Sequence, residues 1–375
     1  MAKESRLWSR LLVLAYALPR LLLRRRPKSE VRRILIAHHL LLGDSIMLAG
    51  LFKILRRDYP SAQIDVLVPL AWMPIFSVSP YGIRAIAYSP RSFALHRQLL
   101  AQGPYDWALV PADNRWSWIA KAMGARWITA FANAGGVNDW PVDEFVAWPS
   151  SPEAWGDIAS RLSAGPPPLP YVAGEWPAPG KPADSPAELK APYAVLHLGA
   201  SSPHKLWPPE RWLALATSLD RAGISVVWSC GPGEHDLVCA ADPDGRFIDL
   251  AGRFNMAGLW HLLAGAALLV SPDTGVAHLA RLTGTPAVVL FGPGSPVISG
   301  PGLFWQDSPF AVVWDEAISC RDQNLLFERP LPWVRHCWRS VAECGNPRCM
   351  QKIDINQVAE AIDRVAGIRL ERGET

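Results

Sequence analysis

Apolar runs of five to seven residues, each closed by a polar loop and followed by helical periodicity, recur along this chain. The first lies between Arg33 and Pro69. There a strand ILIAHH is followed by a loop LLLGDS, a helix from about Ile46 to Asp58, and a second strand IDVLVP. That order predicts a β-α-β unit. Residues Tyr193 to Leu219 repeat the geometry, with a helix starting near Pro208 or Pro209 and running through Glu210, Trp212, Leu213, Leu215 and Leu219. A third run, AGAALLV from Ala264 to Val270, suits a helix end and a strand buried on both faces. That strand stops at Ser271 and Pro272. Asp273, Thr274 and Gly275 then form a tight turn, and Val276, Ala277, Leu279, Ala280 and Leu282 carry the period into a new helix.

A tight turn at the carboxyl end of a parallel strand leaves the first helical N–H groups unpaired, where the helix dipole favours a phosphate. Gly275 lets a ligand approach closely, and His278 stands about one turn in. The plainer alternative is that Asp273 and Thr274 only cap the helix. In the second unit, Ser201 and Ser202 offer hydroxyls, and Lys205 supplies a compact cation able to neutralise a pyrophosphate without a metal ion. Its alternative is a solvated loop lysine. In the first unit, Asp44 follows Gly43 where open α/β sheets place ligands, and it can cap a helix or take a proton from a sugar hydroxyl.

Three segments together resemble glycosyltransferase family 9, the ADP-heptose:lipopolysaccharide heptosyltransferases. They are ILIAHHLLLGDSIMLAGLFKILRRDYPSAQIDVLV from Ile34 to Val68, HLGASSPHKLWPPERW from His197 to Trp212, and SPDTGVAHLARLTGTPAVVLFGP from Ser271 to Pro293. The resemblance covers roughly Val31 to Ala366, and Tyr105 to Ala125 looks like the family's middle β-α unit. It implies an α/β fold of GT-B architecture, two Rossmann-like β/α/β domains facing a central cleft that holds the active site. It also implies that Asp44 is the catalytic base and Lys205 the donor-phosphate contact. Thr274 and Gly275 would bind the pyrophosphate, with Ser201, Ser202, Asp273 and His278 beside it. Glu234, in CGPGEHD, matches the acidic residue near the nucleotide ribose. His38 and His39 depart from the family pattern, which carries an arginine and a small polar residue there.

At 375 residues the chain fits two domains. The expected boundaries are a basic amphipathic segment at 1–30, an acceptor-side domain at 31–170, a proline-rich linker at 171–192, a nucleotide-sugar domain at 193–353, and a terminal helix and tail at 354–375. That helix is expected to pack back across the cleft. Ten Lys or Arg stand against Glu4 and Glu30 in the first 33 residues, a net of +8, so with +3 overall the remainder carries −5. Leu7 to Leu23 is apolar, but its longest uncharged run, Leu11 to Pro19, has nine residues against the ~20 that span a bilayer. No small-residue cleavage site precedes Arg24 to Arg26. The segment reads as an interfacial helix on an anionic leaflet, or else as a helix packed on the front domain.

Without a secretion signal, the six cysteines are not expected to form a disulfide framework. Cys320, Cys337, Cys344 and Cys349 crowd together with sixteen, six and four residues between them, which matches no standard zinc pattern. They stand as candidates for a structural metal or as reduced thiols, and such clusters look like those of other family members. The expected activity is inverting transfer of a sugar, heptose from ADP-heptose, to a lipopolysaccharide-core or related glycan. It needs no catalytic cofactor and no nucleic-acid partner, and would be cytoplasmic and peripheral on the inner membrane's inner face. Two alternatives remain. A Rossmann oxidoreductase wants G-x-G-x-x-G after the first strand, and LLLGDS lacks it. A catalytically silent membrane-associated scaffold would keep the fold, but Asp44, Lys205 and Asp273 are intact.

Overall fold

The computed structural model describes residues 6–22, 30–133, 135–182 and 189–370. The Arg24 to Arg26 cluster and residues 183–188 lie outside them. Two compact units emerge. Unit 1 comprises residues 1–41, 48–169 and 326–331, and unit 2 comprises 42–47, 170–325 and 332–375.

In chain order, unit 1 begins with α1 (Arg6–Leu21) and β1 (Arg33–Ile36). The next helix, α2 (Leu42–Met47), counts with unit 2. The chain continues in unit 1 through α3 (Ala49–Asp58), β2 (Gln63–Pro69), α4 (Met73–Phe76), β3 (Ile83–Tyr88), α5 (Phe93–Leu100), β4 (Trp107–Val110), α6 (Ser117–Ala122), β5 (Trp127–Phe131), β6 (Glu144–Val146) and α7 (Trp155–Ser160). All neighbouring strands pair in parallel in the order β3-β2-β1-β4-β5-β6. The helix expected at Ile46 to Asp58 is instead two helices, with Leu48 between them.

Unit 2 repeats the plan. It contains β7 (Tyr193–His197), α8 (Pro209–Arg221), β8 (Ser225–Ser229), α9 (His235–Ala241), β9 (Ile248–Asp249), α10 (Met256–Ala264), β10 (Leu268–Pro272), α11 (Gly275–Thr283), β11 (Ala287–Phe291) and β12 (Phe310–Trp314). Its sheet runs β12-β11-β10-β7-β8-β9, again all parallel. Counted from its own first strand, each sheet has the doubly wound order 3-2-1-4-5-6, whose ligand crevice lies at the carboxyl ends where the order reverses. In unit 2 that point falls between β7 and β10. Every residue of β7, β10 and β11 is buried, as the unbroken apolar runs predict.

Some expected boundaries move. Within the proposed linker, Tyr171 and Trp176 are buried in unit 2, where the Tyr171 hydroxyl donates to Leu282 O at 3.0 Å. Residues 326–331 count with unit 1, where Arg329 donates to Ala132 O and, at 2.8 Å, to Asn114 Oδ1. The chain closes with α12 (Arg348–Gln351) and α13 (Ile355–Ala366). A capping box of Asp354 and Gln357 starts α13, and Val358, Ala361 and Ile362 bury its apolar stripe in the core of unit 2.

The amino-terminal helix packs on unit 1 by one face and leaves a second apolar face exposed. Ser9, Val13 and Ala17, spaced by one turn, are buried, and the two apolar ones join the unit 1 core. Arg20 ties the helix down by donating to Ala122 O. Leu7, Leu11, Leu14, Leu18 and Leu22 recur at helical spacing on the opposite face with Trp8, and all six are 37–89% exposed. Among the described residues, no helix is long and apolar enough to cross a membrane.

Candidate active site

The polar residues singled out in the sequence gather at the β7/β10 crevice of unit 2. Lys205 sits in a single 3-10 turn, Pro203–Lys205, after β7. Ser202 caps that turn by accepting from the His204 N–H at 3.3 Å, His204 Nε2 donates to Cys344 O at 2.7 Å, and Trp207 Nε1 donates to Ile353 O at 3.1 Å. These anchors hold a flexible cation in one place. Lys205 Nζ donates to Asp273 O at 2.8 Å and to Asp273 Oδ2 at 3.1 Å. Ser202 is thus spent on shaping the loop, whereas Ser201 is exposed.

At the start of α11, Thr274 has the extended backbone of an N-cap but makes no side-chain capping bond. Its Oγ1 is buried without a hydrogen-bond partner. A buried hydroxyl left unpaired costs about 1–3 kcal/mol, so the simple capping alternative gives no account of it. Gly275 also has a packing role. A Cβ there would lie 2.9 Å from Leu42 Cβ, so its bareness admits α2. The contact is reciprocal: a Cβ at Gly43 would lie 2.6 Å from His278 Cδ2. Two glycines therefore let α2 lie against α11, and Asp44 follows the first of them.

That placement sets the chemistry of Asp44. Burial pushes its carboxyl up to about 7, the negative charge of Asp273 adds to the rise, and Lys205 opposes it. His278 is buried and held well below the ordinary histidine range by burial, then by the Arg281 and Lys205 cations. Arg281 NH1 donates to His278 Nδ1 at 3.1 Å, which leaves the proton of the neutral ring on Nε2. Sequence reasoning passed over Arg281. Its only signal is its position three residues after His278 on one helix face. It is 2% exposed, lies 3.8 Å over the Phe310 ring, donates to Ser299 O at 2.9 Å, and is lowered to about 9 by burial.

Glu234 lies at the β8 end of the same crevice. Its Oε2 accepts from the Gly231 N–H at 2.7 Å, and a Cβ on Gly199 would lie 2.1 Å from that oxygen. One carboxylate oxygen therefore already braces the loop. In unit 1, His38 is buried. Its Nδ1 accepts from the Leu40 N–H at 3.2 Å, its Nε2 has no partner, and burial lowers it to about 3. His39 stands 5.7 Å from the Trp116 ring.

The candidate cysteine metal site does not assemble. Among the described residues, no group of three or more His, Cys, Asp or Glu side chains is placed to hold a metal ion, and Cys320, Cys337, Cys344 and Cys349 are thiols. A buried arginine organises that region instead. Arg321 donates to Gly292 O at 2.6 Å, to Phe291 O at 3.1 Å and to Asp315 O at 2.6 Å.

Paired doubly wound sheets with ligand loops at the carboxyl ends of their strands define the GT-B class of α/β glycosyltransferases. Residues 162–317 match the model of glycosyltransferase family 9 (heptosyltransferase). Over that stretch the chain resembles family 9, and its enzyme class is that of a glycosyltransferase. It is 24% identical over 280 residues to lipopolysaccharide heptosyltransferase 3 of Escherichia coli, covering 67% of this chain and 80% of that one. It is 26% identical over 307 residues to lipopolysaccharide heptosyltransferase 2 of Salmonella typhimurium, covering 72% and 85%. The solved structure of E. coli ADP-heptose lps heptosyltransferase II superposes with a TM-score of 0.65 at 21% identity, over 89% of this chain and 98% of that one.

Proposed function

We propose that this glycosyltransferase moves a heptose from ADP-heptose to a hydroxyl of a lipopolysaccharide-core glycan with inversion at the anomeric carbon. The observation that carries the reading is the convergence of Asp44, Lys205, Asp273 and the unpartnered Thr274 hydroxyl at one crevice. The names of the relatives support the choice of donor and acceptor. Asp44 takes the proton from the acceptor hydroxyl as its oxygen attacks the anomeric carbon, and the bond from that carbon to the diphosphate breaks. Lys205 and the first N–H groups of α11 receive the charge of the departing diphosphate, the electrostatic work that a metal ion performs elsewhere. The diphosphate replaces Asp273 as the partner of Lys205, and the Thr274 hydroxyl donates to it. Glu234 turns its second oxygen to the ribose.

The protein works at a membrane surface on the same reading. The exposed leucine stripe of α1 and Trp8 enter the interface, and the neighbouring Arg24 to Arg26 cluster adds attraction to anionic lipid. On this reading the enzyme acts at the cytoplasmic face of the inner membrane, where an anionic leaflet and a nucleotide-sugar supply coincide.

The reading is tested by incubating the protein with a panel of nucleotide sugars and extracted core glycan while following diphosphate release. Release from ADP-heptose that depends on the acceptor supports it. Turnover of another donor alone would replace heptose, and release without acceptor would remove the transfer step.

A further inference from the structure

A second reactive constellation lies on α9, apart from the crevice groups that act on the sugar. His235 and Cys239 are four residues apart, hence one above the other on one face, and both are exposed. Cys239 Sγ lies 3.3 Å from His235 Nδ1, and His235 Nε2 lies 2.6 Å from Asp249 Oδ2. Asp249 is fixed in turn. It belongs to β9, paired with β8, and its Oδ1 accepts from the Ala251 N–H at 2.9 Å. A carboxylate only accepts, so Nε2 must carry the proton it shares with Asp249, and Nδ1 of the neutral ring presents its lone pair to the thiol. Nucleophile, base and orienting carboxylate stand in series, the arrangement that activates a nucleophilic side chain.

We infer that Cys239 is a base-assisted nucleophilic thiol and a modification site for low-molecular-weight disulfides. The proton of Cys239 passes to His235 Nδ1 as the sulfur's electron pair attacks one sulfur of the disulfide. The disulfide S–S bond breaks, and the second sulfur leaves with its electron pair and takes up the proton. The products are a mixed disulfide at Cys239 and one free small thiol, so the disulfide itself is the oxidant. None of the other five cysteines combines an exposed thiol with an imidazole at this distance among the described residues.

The test is the rate at which oxidised glutathione modifies each cysteine of the full-length protein, followed by peptide mass spectrometry. Cys239 should take the glutathionyl group first. His235→Gln should slow that step roughly tenfold without changing the exposure of the thiol, which is well below the 10²–10⁴-fold that a positioned base supplies in a closed site. Asp249→Asn should slow it similarly, because the amide donates to Nε2 and moves the ring proton to Nδ1, where it faces the thiol. Circular dichroism of each variant checks that it has kept the fold. Equal rates in the wild type and both folded variants would show that exposure alone governs Cys239, and the inference would fall.

Discussion

Asp44 is the residue on which the proposed chemistry turns, and its surroundings make its cost as well as its use legible. A base whose carboxyl is raised to about 7 is protonated below that point, so kcat/KM should rise roughly tenfold per pH unit up to about pH 7 and level off above it. A flat profile between pH 5 and 8 would remove Asp44 as the base. Stability runs the other way. With its folded value raised from 3.8, the group's contribution is fully present below pH 4 and is lost as pH rises through 7. Asp44→Asn should therefore raise the melting temperature above pH 7, by a free energy of at most about 4 kcal/mol, with the gain vanishing near pH 4. Thermal denaturation across that range checks the sign. Lys205→Ala should weaken nucleoside-diphosphate binding in calorimetric titration by removing a charge-assisted phosphate contact. Unchanged affinity would return Lys205 to a purely structural pairing with Asp273. The main polar candidates at this scale were readable because turn-forming residues follow apolar strands. Arg281 and His38 were not, since a residue type usually solvated gives no sign in sequence that it is enclosed.

Among the elements, the short helix α2 is the least legible piece of the chain and the one that carries the proposed base. Its sequence runs on into α3 without a proline, so periodicity alone predicts one helix, whereas the structure divides it at Leu48. The strands were far easier to read, because a parallel strand buried on both faces is an unbroken apolar run. The glycine contact predicts a definite coupling. Gly43→Ala drives a methyl group into His278, and overpacking of this kind costs about 1–3 kcal/mol with a matching loss of turnover. In a His278→Ala background the same substitution should cost much less, and the difference is read as a coupling energy in a double-mutant cycle. Additive effects would mean that the two helices do not meet as described.

At the scale of the whole molecule, the proposed membrane attachment rests on unit 1 and the proposed sugar transfer on groups of unit 2, so the two can be separated by substitution. Of the choice offered by the sequence, an interfacial helix or a packed one, the structure shows the packing and leaves a second apolar face of α1 open to the proposed interface. A periodicity read without a partner cannot say which stripe is covered. Because Val13 and Ala17 are buried, deleting the first 28 residues would damage unit 1 and test nothing about lipid. The paired change Leu11→Glu and Leu18→Glu should release the protein from anionic vesicles in co-sedimentation, leaving its melting temperature and its turnover of a delipidated acceptor nearly unchanged. Ala17→Glu should instead destabilise the fold, since it buries an unpaired charge. Persistent vesicle binding by the folded double variant would end the membrane reading. The proposed transfer from a nucleotide-activated heptose rests on Asp44 acting as the base. The most direct test compares wild type and Asp44→Asn with ADP-heptose and core glycan, measuring acceptor-dependent ADP release beside calorimetric ADP affinity. Release should fall by roughly 10²-fold or more while affinity stays within a few-fold, because the amide keeps the shape but accepts no proton. Near-normal release by the variant would contradict Asp44 as the base.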